Sequence, residues 1–226
     1  MTQDILRDFE RVPPALVRQA GEFQAAILAD VNGRRGALHG RIAALRPRMK
    51  LAGPALTVDV RPGDNLMIHA AMALAQPGDV LVIDVKGDQT AALMGTIMMT
   101  ACKQLGLAGV VLDGAVRDSL EIDEMDFPVF SVGTNPNGPT KNVPGRIGHP
   151  ITCGGVSVRS GDLVVADADG VVVIERERTE SLLPLARRKV EDEAARIAQI
   201  LRGNTSASWL AAALRTAGVL KEGESL

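Results

Sequence analysis

Aromatic residues are nearly missing from this 226-residue chain: four Phe, one Trp and no Tyr make up 2% of it. Surfaces that stack on bases or sugar rings are built from such side chains, so those partners lose their usual platform. An excess of one charge sign is missing too. Lys and Arg total 25 against 27 Asp and Glu, a formal net charge of −2, which leaves no electrostatic footprint for nucleic acid or an anionic membrane. No apolar run approaches the roughly 18 residues of a membrane span. The opening MTQDILRDFERVPP has acids where a secretory signal needs a basic and then an apolar stretch. Two cysteines, Cys102 and Cys153, lack CxxC spacing, and we expect reduced, structural thiols in a cytoplasmic protein. The three histidines, His39, His69 and His149, form no HxH or HExxH pair, which argues against a His-built zinc site. A GxxxxGK[ST] loop, a strand-to-helix GxGxxG and a GxSxG elbow are all lacking. The chemistry left open uses carboxylates, arginine, backbone amides and a hard metal.

What is present is a core of Val, Ile, Leu, Ala and Met, with 46% of residues apolar. At this length the chain can form one α/β domain, taken as residues 1–226 with terminal helical extensions. PPALVRQAGEFQAAILADVNG reads as N-terminal helices broken near Gly21 and ended by Asn32-Gly33. LAGPALTVDVRPGDN is a strand closing on a turn, and Asn65 opens an apolar helix. GDVLVIDVKGD and AGVVLDG hold short, wholly apolar strands, which argues burial on both faces. Between them TAALMGTIMMTACKQLG has a helical pattern, DSLEIDEM reads as a short helix, and FPVFSVG as a further strand. After the loop TNPNGPTKNVPGRIGHP the character becomes β. The last element, from about Thr179 to Arg202, is a charged amphipathic helix with Pro184 near its first turn or just inside. GDVLVIDVKG and GDLVVADADG echo one another, which we read as two similar turn–strand–turn units. The alternation points to an α/β sandwich with a mixed sheet.

Several residues admit two readings. Asp118-Ser-Leu-Glu121 has the spacing of a capping box, yet Arg117 and Asp118 together also present a guanidinium and a carboxylate just past a buried strand. A helix starting near Gly95 would offer free amides to an anion; one starting at Thr90 would not. Val190, Glu193 and Ile197 share a helical stripe, so Glu193 is either at its edge or faces a partner or a site. Asp167 and Asp169 are expected to shape a DADG turn.

PGDNLMIHAA, GDVLVID, LAGVVLDGAVRD, FPVFSVGTNPNGPTK and VRSGDLVVADADGVVVI together resemble one family over roughly residues 50–205. It holds the 4-hydroxy-4-methyl-2-oxoglutarate and 4-carboxy-4-hydroxy-2-oxoadipate aldolases and the regulator of ribonuclease activity A. The resemblance implies an α/β/β sandwich like the swivelling phosphohistidine domain, assembled as a homotrimer or hexamer with sites at subunit interfaces. It implies that Arg117 contacts the oxygen of bound pyruvate and that Asp118 ligates Mg²⁺ or Mn²⁺. It further implies a carboxylate cradle at Gly95, Thr96, Ile97 and Met98 and a polar contact from Asn65. A glutamate from a neighbouring subunit reaches the metal through water in this family, and Glu193 is the best match, with Glu191 close by as the alternative.

The implied activity is a class II retro-aldolase that cleaves 2-oxo acids to pyruvate, with oxaloacetate decarboxylation as a side activity. Cleavage leaves a pyruvate enolate whose charge a dication and a guanidinium can hold, so no Schiff-base lysine is required. Lys86 and Lys141 lie nearest the motifs and match no family role. The family's aldolases usually carry an acid after the cradle glycine, and this chain has Thr96, which bears on substrate choice. The alternatives are a non-catalytic, ribonuclease-regulator-like binding protein and a metal enzyme acting on another small oxo or hydroxy acid.

Overall fold

The computed structural model describes residues 4–221 and 224. Two compact units make up the chain, Met1–Ala186 and Arg187–Leu226. The first opens with two short helices, α1 (Pro14–Ala20) and α2 (Ala25–Val31), and an edge strand β1 (Ala43–Ala44). Strand β2 (Leu51–Asp59), helix α3 (Leu66–Met72) and strand β3 (Val80–Asp84) follow. Next come β4 (Ala92–Met94), α4 (Thr96–Gln104), β5 (Gly109–Val116), α5 (Ser119–Glu124) and β6 (Val129–Thr134). The β-rich part comprises β7 (Arg146–Ile147), β8 (Ile151–Cys153), β9 (Val156–Val158), β10 (Leu163–Asp167) and β11 (Gly170–Ile174).

The main sheet is mixed, in the order β1-β6-β5-β3-β2-β10-β11, with β4 added to β5 and β7 to β2. Its β6-β5-β3-β2 centre is parallel, and β10 joins β2 antiparallel. Both faces are covered, which is why the strands read as unbroken apolar runs. Strand β10 shows the division residue by residue. Val164 and Ala166 belong to the large core with α3, α4 and α5, whereas Leu163 and Val165 pack with α1, α2 and the start of the last long helix. The α/β sandwich with a mixed sheet expected from the sequence is thus the architecture found.

The two Gly-Asp turns are alike in their chemistry. Asp79 accepts the Gln76 amide at 2.8 Å and Asp162 accepts the Arg159 amide at 2.9 Å, each from three residues back. Cys102 and Cys153 are free and buried. Burial pushes the Cys102 thiol up to about 12 and raises that of Cys153 as well, so neither is a ready nucleophile.

Two helix starts need comment. Of the two starts left open for TAALMGTIMMTACKQLG, the structure takes the one at Gly95. Ala92 and Met94 pair with Ala115 and Val116 as strand β4, and the helix begins only at Thr96. The last long helix, α6 (Arg176–Leu201), starts three residues earlier than expected, because buried Asp162 accepts the Arg176 amide at 3.1 Å. That distant cap places Pro184 inside the helix, the second of the two positions expected.

The second unit holds the remainder of α6 and α7 (Leu210–Thr216). Among its described residues none is buried. Arg196 closes the turn between its helices by donating to the carbonyls of Asn204, Thr205 and Ser206. Glu193 is half-exposed, and its Oε1 lies 3.0 Å from Lys189 Nζ.

Candidate active site

Strand β5 is buried along its whole length and ends at the carboxyl edge of the parallel strands, where open α/β sheets bind ligands. Arg117 and Asp118 follow directly. The Arg117 amide is still tied to Met94 O at 3.0 Å, so the two side chains emerge beside the β4–α4 junction. Asp118 then adopts a left-handed backbone, φ 60° and ψ 44°. Non-glycine residues occupy that region at some cost, and such positions concentrate at functional sites.

This conformation removes one of the two readings of Asp118, the helix cap. It sits at the N-cap position of α5 but makes no side-chain cap bond there. Its Oδ2 instead accepts the Thr96 amide, across the cavity mouth, at 3.0 Å. Arg117 Nε lies 3.7 Å from the same oxygen. Asp118 Oδ1 has no hydrogen-bond or ion-pair partner among the described residues.

Gly95 is required by close approach and not by its backbone, which is extended at φ −145°. A Cβ there would stand 2.4 Å from Asp118 Oδ2 and 3.0 Å from Arg117 Cγ. Beyond Gly95, α4 runs for nine residues, and its first amides point outward with the positive end of the helix dipole. The Asn65 amide nitrogen donates to Leu93 O at 2.8 Å, while its buried Oδ1 is unpartnered. Thr96 Oγ1 is likewise buried without a partner.

These groups line a cavity of about 150 Å³. Of the residues expected from the sequence, Asn65, Gly95, Ile97, Met98, Arg117 and Asp118 all border it. Thr96 joins through its amide on Asp118 rather than through the cavity wall. Glu193 belongs to the second unit. His69 and Lys141 also line the cavity; the sequence placed Lys141 near the motifs but gave neither residue a role. His69 was legible in principle, four residues after Asn65 and so on the same helical face. Lys141 carries no local signal, because a distant carboxylate brings it there.

That carboxylate is Asp64, which is 1% exposed. Its Oδ2 accepts Thr140 Oγ1 at 2.6 Å, the Asn142 amide at 2.7 Å and the Val143 amide at 3.2 Å. Its Oδ1 accepts the Leu66 amide at 3.0 Å. Burial acts to raise the Asp64 pKa, but these donors outweigh it and hold the carboxyl below its ordinary range.

Lys86 is elsewhere. It lies in a separate cavity, bonded to Asp59 at 2.8 Å and to Asp84, and although burial works against its charge these carboxylates hold it protonated.

Among the described residues no group of three or more His, Cys, Asp or Glu side chains is arranged to hold a metal. A protein cage is therefore not what this cavity offers. A hydrated hard dication makes a smaller demand, since Mg²⁺ keeps several waters and takes one or two carboxylates. Asp118, with one oxygen unpartnered in a cavity that Asn65 also lines, fits that demand.

The model of the RraA-like family, described as Aldolase/RraA, matches residues 16–173. The chain belongs to the RraA-like family. A protein of Halalkalibacterium halodurans named "Putative 4-hydroxy-4-methyl-2-oxoglutarate aldolase" is 46% identical over 70% of this chain and 76% of its own length. An Arabidopsis thaliana protein, "Putative 4-hydroxy-4-methyl-2-oxoglutarate aldolase 3", is 34% identical over 65% of this chain and 87% of its own. Among solved structures, Streptomyces coelicolor RraAS2, "an unusual member of the RNase ES inhibitor RraA protein family", superposes with a TM-score of 0.77. It is 30% identical and the match covers 84% of this chain and 99% of that one. The RraA-like match spans the strands and turns that build the cavity.

Proposed function

We propose that this protein is a divalent-metal-dependent retro-aldolase that cleaves 4-hydroxy-4-methyl-2-oxoglutarate-type 2-oxo acids to pyruvate, with oxaloacetate decarboxylation as a side activity. The observation that carries the reading is the meeting of Arg117 and Asp118 at Gly95, beside the amino end of α4. A guanidinium, a carboxylate and outward amides then face one small cavity.

In this reading Asp118 Oδ1 would hold Mg²⁺ or Mn²⁺, with the bond from Thr96 fixing the other oxygen. When bound, the dication supplies Lewis acidity to the 2-oxo group. The amides of Ile97 and Met98 receive the substrate carboxylate, since they are the free donors at the positive end of a helix. Asn65 Oδ1 is an acceptor without a partner and orients a hydroxyl or a water. As the C3–C4 bond breaks, the 4-hydroxyl gives its proton to water and becomes the carbonyl of the second product. The bond's electron pair becomes the enolate of pyruvate, and a proton from water completes pyruvate at C3. Arg117 donates to the developing enolate oxygen, a charge-assisted bond that strengthens as the charge grows. Decarboxylation of oxaloacetate yields the same enolate and uses the same donors.

Thr96 cannot carry the charge that an acid at this position would, so the substrate need not be the commonest one of the RraA-like aldolases. The working form in this reading is a homotrimer or hexamer, with Glu193 of a neighbouring subunit approaching the metal through water.

Pyruvate release from a panel of 4-hydroxy-2-oxo acids tests the reading, with chelator and with added Mg²⁺ or Mn²⁺. Metal-dependent pyruvate is the expected result, and none from any acid would refute it. The Streptomyces coelicolor relative favours a second reading, a ribonuclease-regulator-like binding protein. That reading predicts inhibition of an RNase E-type enzyme and no pyruvate.

A further inference from the structure

We infer that Lys141, set in place by the buried carboxylate of Asp64, is a specificity-determining residue that binds the remote carboxylate of a 2-oxo dicarboxylic acid. The inference rests on the proposed use of the Arg117–Asp118 cavity as a 2-oxo acid site.

Charge is the first argument. The cavity is lined by Arg117, Lys141 and Asp118, with His69 beside them. Arg117 and Asp118 lie within 3.7 Å and offset one another. Lys141 makes no ion pair or hydrogen bond among the described residues, unlike Lys86, which two carboxylates hold. It is therefore the uncommitted permanent charge on the cavity wall. A monocarboxylic 2-oxo acid is already served by the α4 amides and Arg117; a second carboxylate needs another cation, and Lys141 is that cation.

Placement is the second. An unpaired surface lysine ordinarily loses much side-chain freedom when it binds, which weakens its contribution. The exposed Lys141 side chain keeps that freedom, but the backbone on both sides is fixed in advance and holds the residue at the cavity wall. Thr140 and Asn142, the neighbours of Lys141, donate to one oxygen of Asp64. Thr140 N also donates to Gly63 O at 2.8 Å, and Thr140 O accepts the Asn65 amide at 3.0 Å. The same clamp thus locks the loop of Lys141 to the start of α3, which carries Asn65 and His69. Burying a carboxylate is costly unless it is fully bonded. Asp64 meets that condition by ordering this loop. Asp64 is a positioning residue, and Lys141 makes the contact.

The test compares 2-oxoglutarate with 2-oxopentanoate, which share the 2-oxo acid head and chain length and differ in the terminal carboxylate. Calorimetric titrations of the intact protein with Mg²⁺ present give the preference ratio. The wild type should favour the diacid roughly fivefold, the size of one partly exposed charge pair. Lys141→Met should erase the ratio with little change for the monoacid, and Lys141→Arg should keep it. Asp64→Asn should lower the ratio while thermal melts show a folded protein. If it fails to fold, the Lys141 pair alone decides. No preference in the wild type, or equal weakening of both acids in Lys141→Met, would overturn the inference. A retained preference with no pyruvate from any substrate would instead overturn the aldolase reading and leave this one standing.

Discussion

Gly95→Ala adds one methyl group where the side chains of Arg117 and Asp118 crowd the backbone. The new Cβ would lie 2.4 Å from Asp118 Oδ2, 3.0 Å from Arg117 Cγ and 3.2 Å from Arg117 Nε. Carbon and oxygen that are not bonded settle at roughly 3.5 Å, so the carboxylate must retreat by about 1 Å. Because the backbone is extended at φ −145°, alanine adopts it without strain, and the whole effect falls on the two side chains. Retreat breaks the 3.0 Å bond from the Thr96 amide, which frees Asp118 to rotate. Misplacement of a reacting group by about 1 Å costs on the order of 100-fold in rate. Stability should hardly change. Alanine is a poorer N-cap than glycine by about 0.5 kcal/mol, and the stiffer unfolded chain returns a similar amount. Steady-state kinetics on whichever acid the wild type cleaves, with a melting curve alongside, should therefore show kcat/KM down about 100-fold and Tm within about 4 °C. Activity within twofold of wild type would refute the claim that this contact sets the site.

Asp118→Asn should leave the melting temperature nearly unchanged, since Asp118 makes no cap bond in α5, while metal affinity and turnover fall by orders of magnitude; near-wild-type turnover would make the residue an ordinary strand exit. Arg117→Lys keeps the charge but loses the planar fork, so kcat should fall more than KM rises, as single-substrate kinetics will show. Borohydride added with pyruvate should trap no adduct, and mass spectrometry finding one on Lys86 or Lys141 would contradict a metal-based step. Light scattering at micromolar concentration should give a trimer or hexamer, and a stable monomer would remove Glu193 from the site. Asp64 has a folded pKa below its unfolded value of about 3.9, so its contribution is present above that value and is lost as pH falls below about 4. Urea melts at pH 6 and pH 3 should show a smaller loss for Asp64→Asn than for wild type; equal losses would refute the clamp.

The Arg117–Asp118 pair was visible in the chain as two charges after an apolar strand, but its use was not. DSLE has a capping spacing, and local rules favour a cap. The structure turns Asp118 into the left-handed region and gives its oxygen to Thr96, 22 residues earlier. The start of α4 was open for the same reason. Apolar residues before Gly95 fit helix periodicity, and pairing with β5 makes them a strand instead.

The apolar periodicities, the Gly-Asp turns and the order of the DGAVRD and GDLVVADADG motifs determine the α/β class, the buried parallel strands and most of the residues lining the cavity. Each follows from burial or turn chemistry within a few residues, which local sequence carries. Tertiary structure alone decided where the long helices begin, that Asp118 bonds Thr96 instead of capping its own helix, and that Lys141 lines the cavity. Those outcomes depend on carboxylates that meet amides far along the chain, Asp162 with Arg176 and Asp64 with Asn142. A hydrogen bond between residues 78 positions apart leaves no periodic trace in a sequence. Only the folding of the sheet brings its two halves within 3 Å.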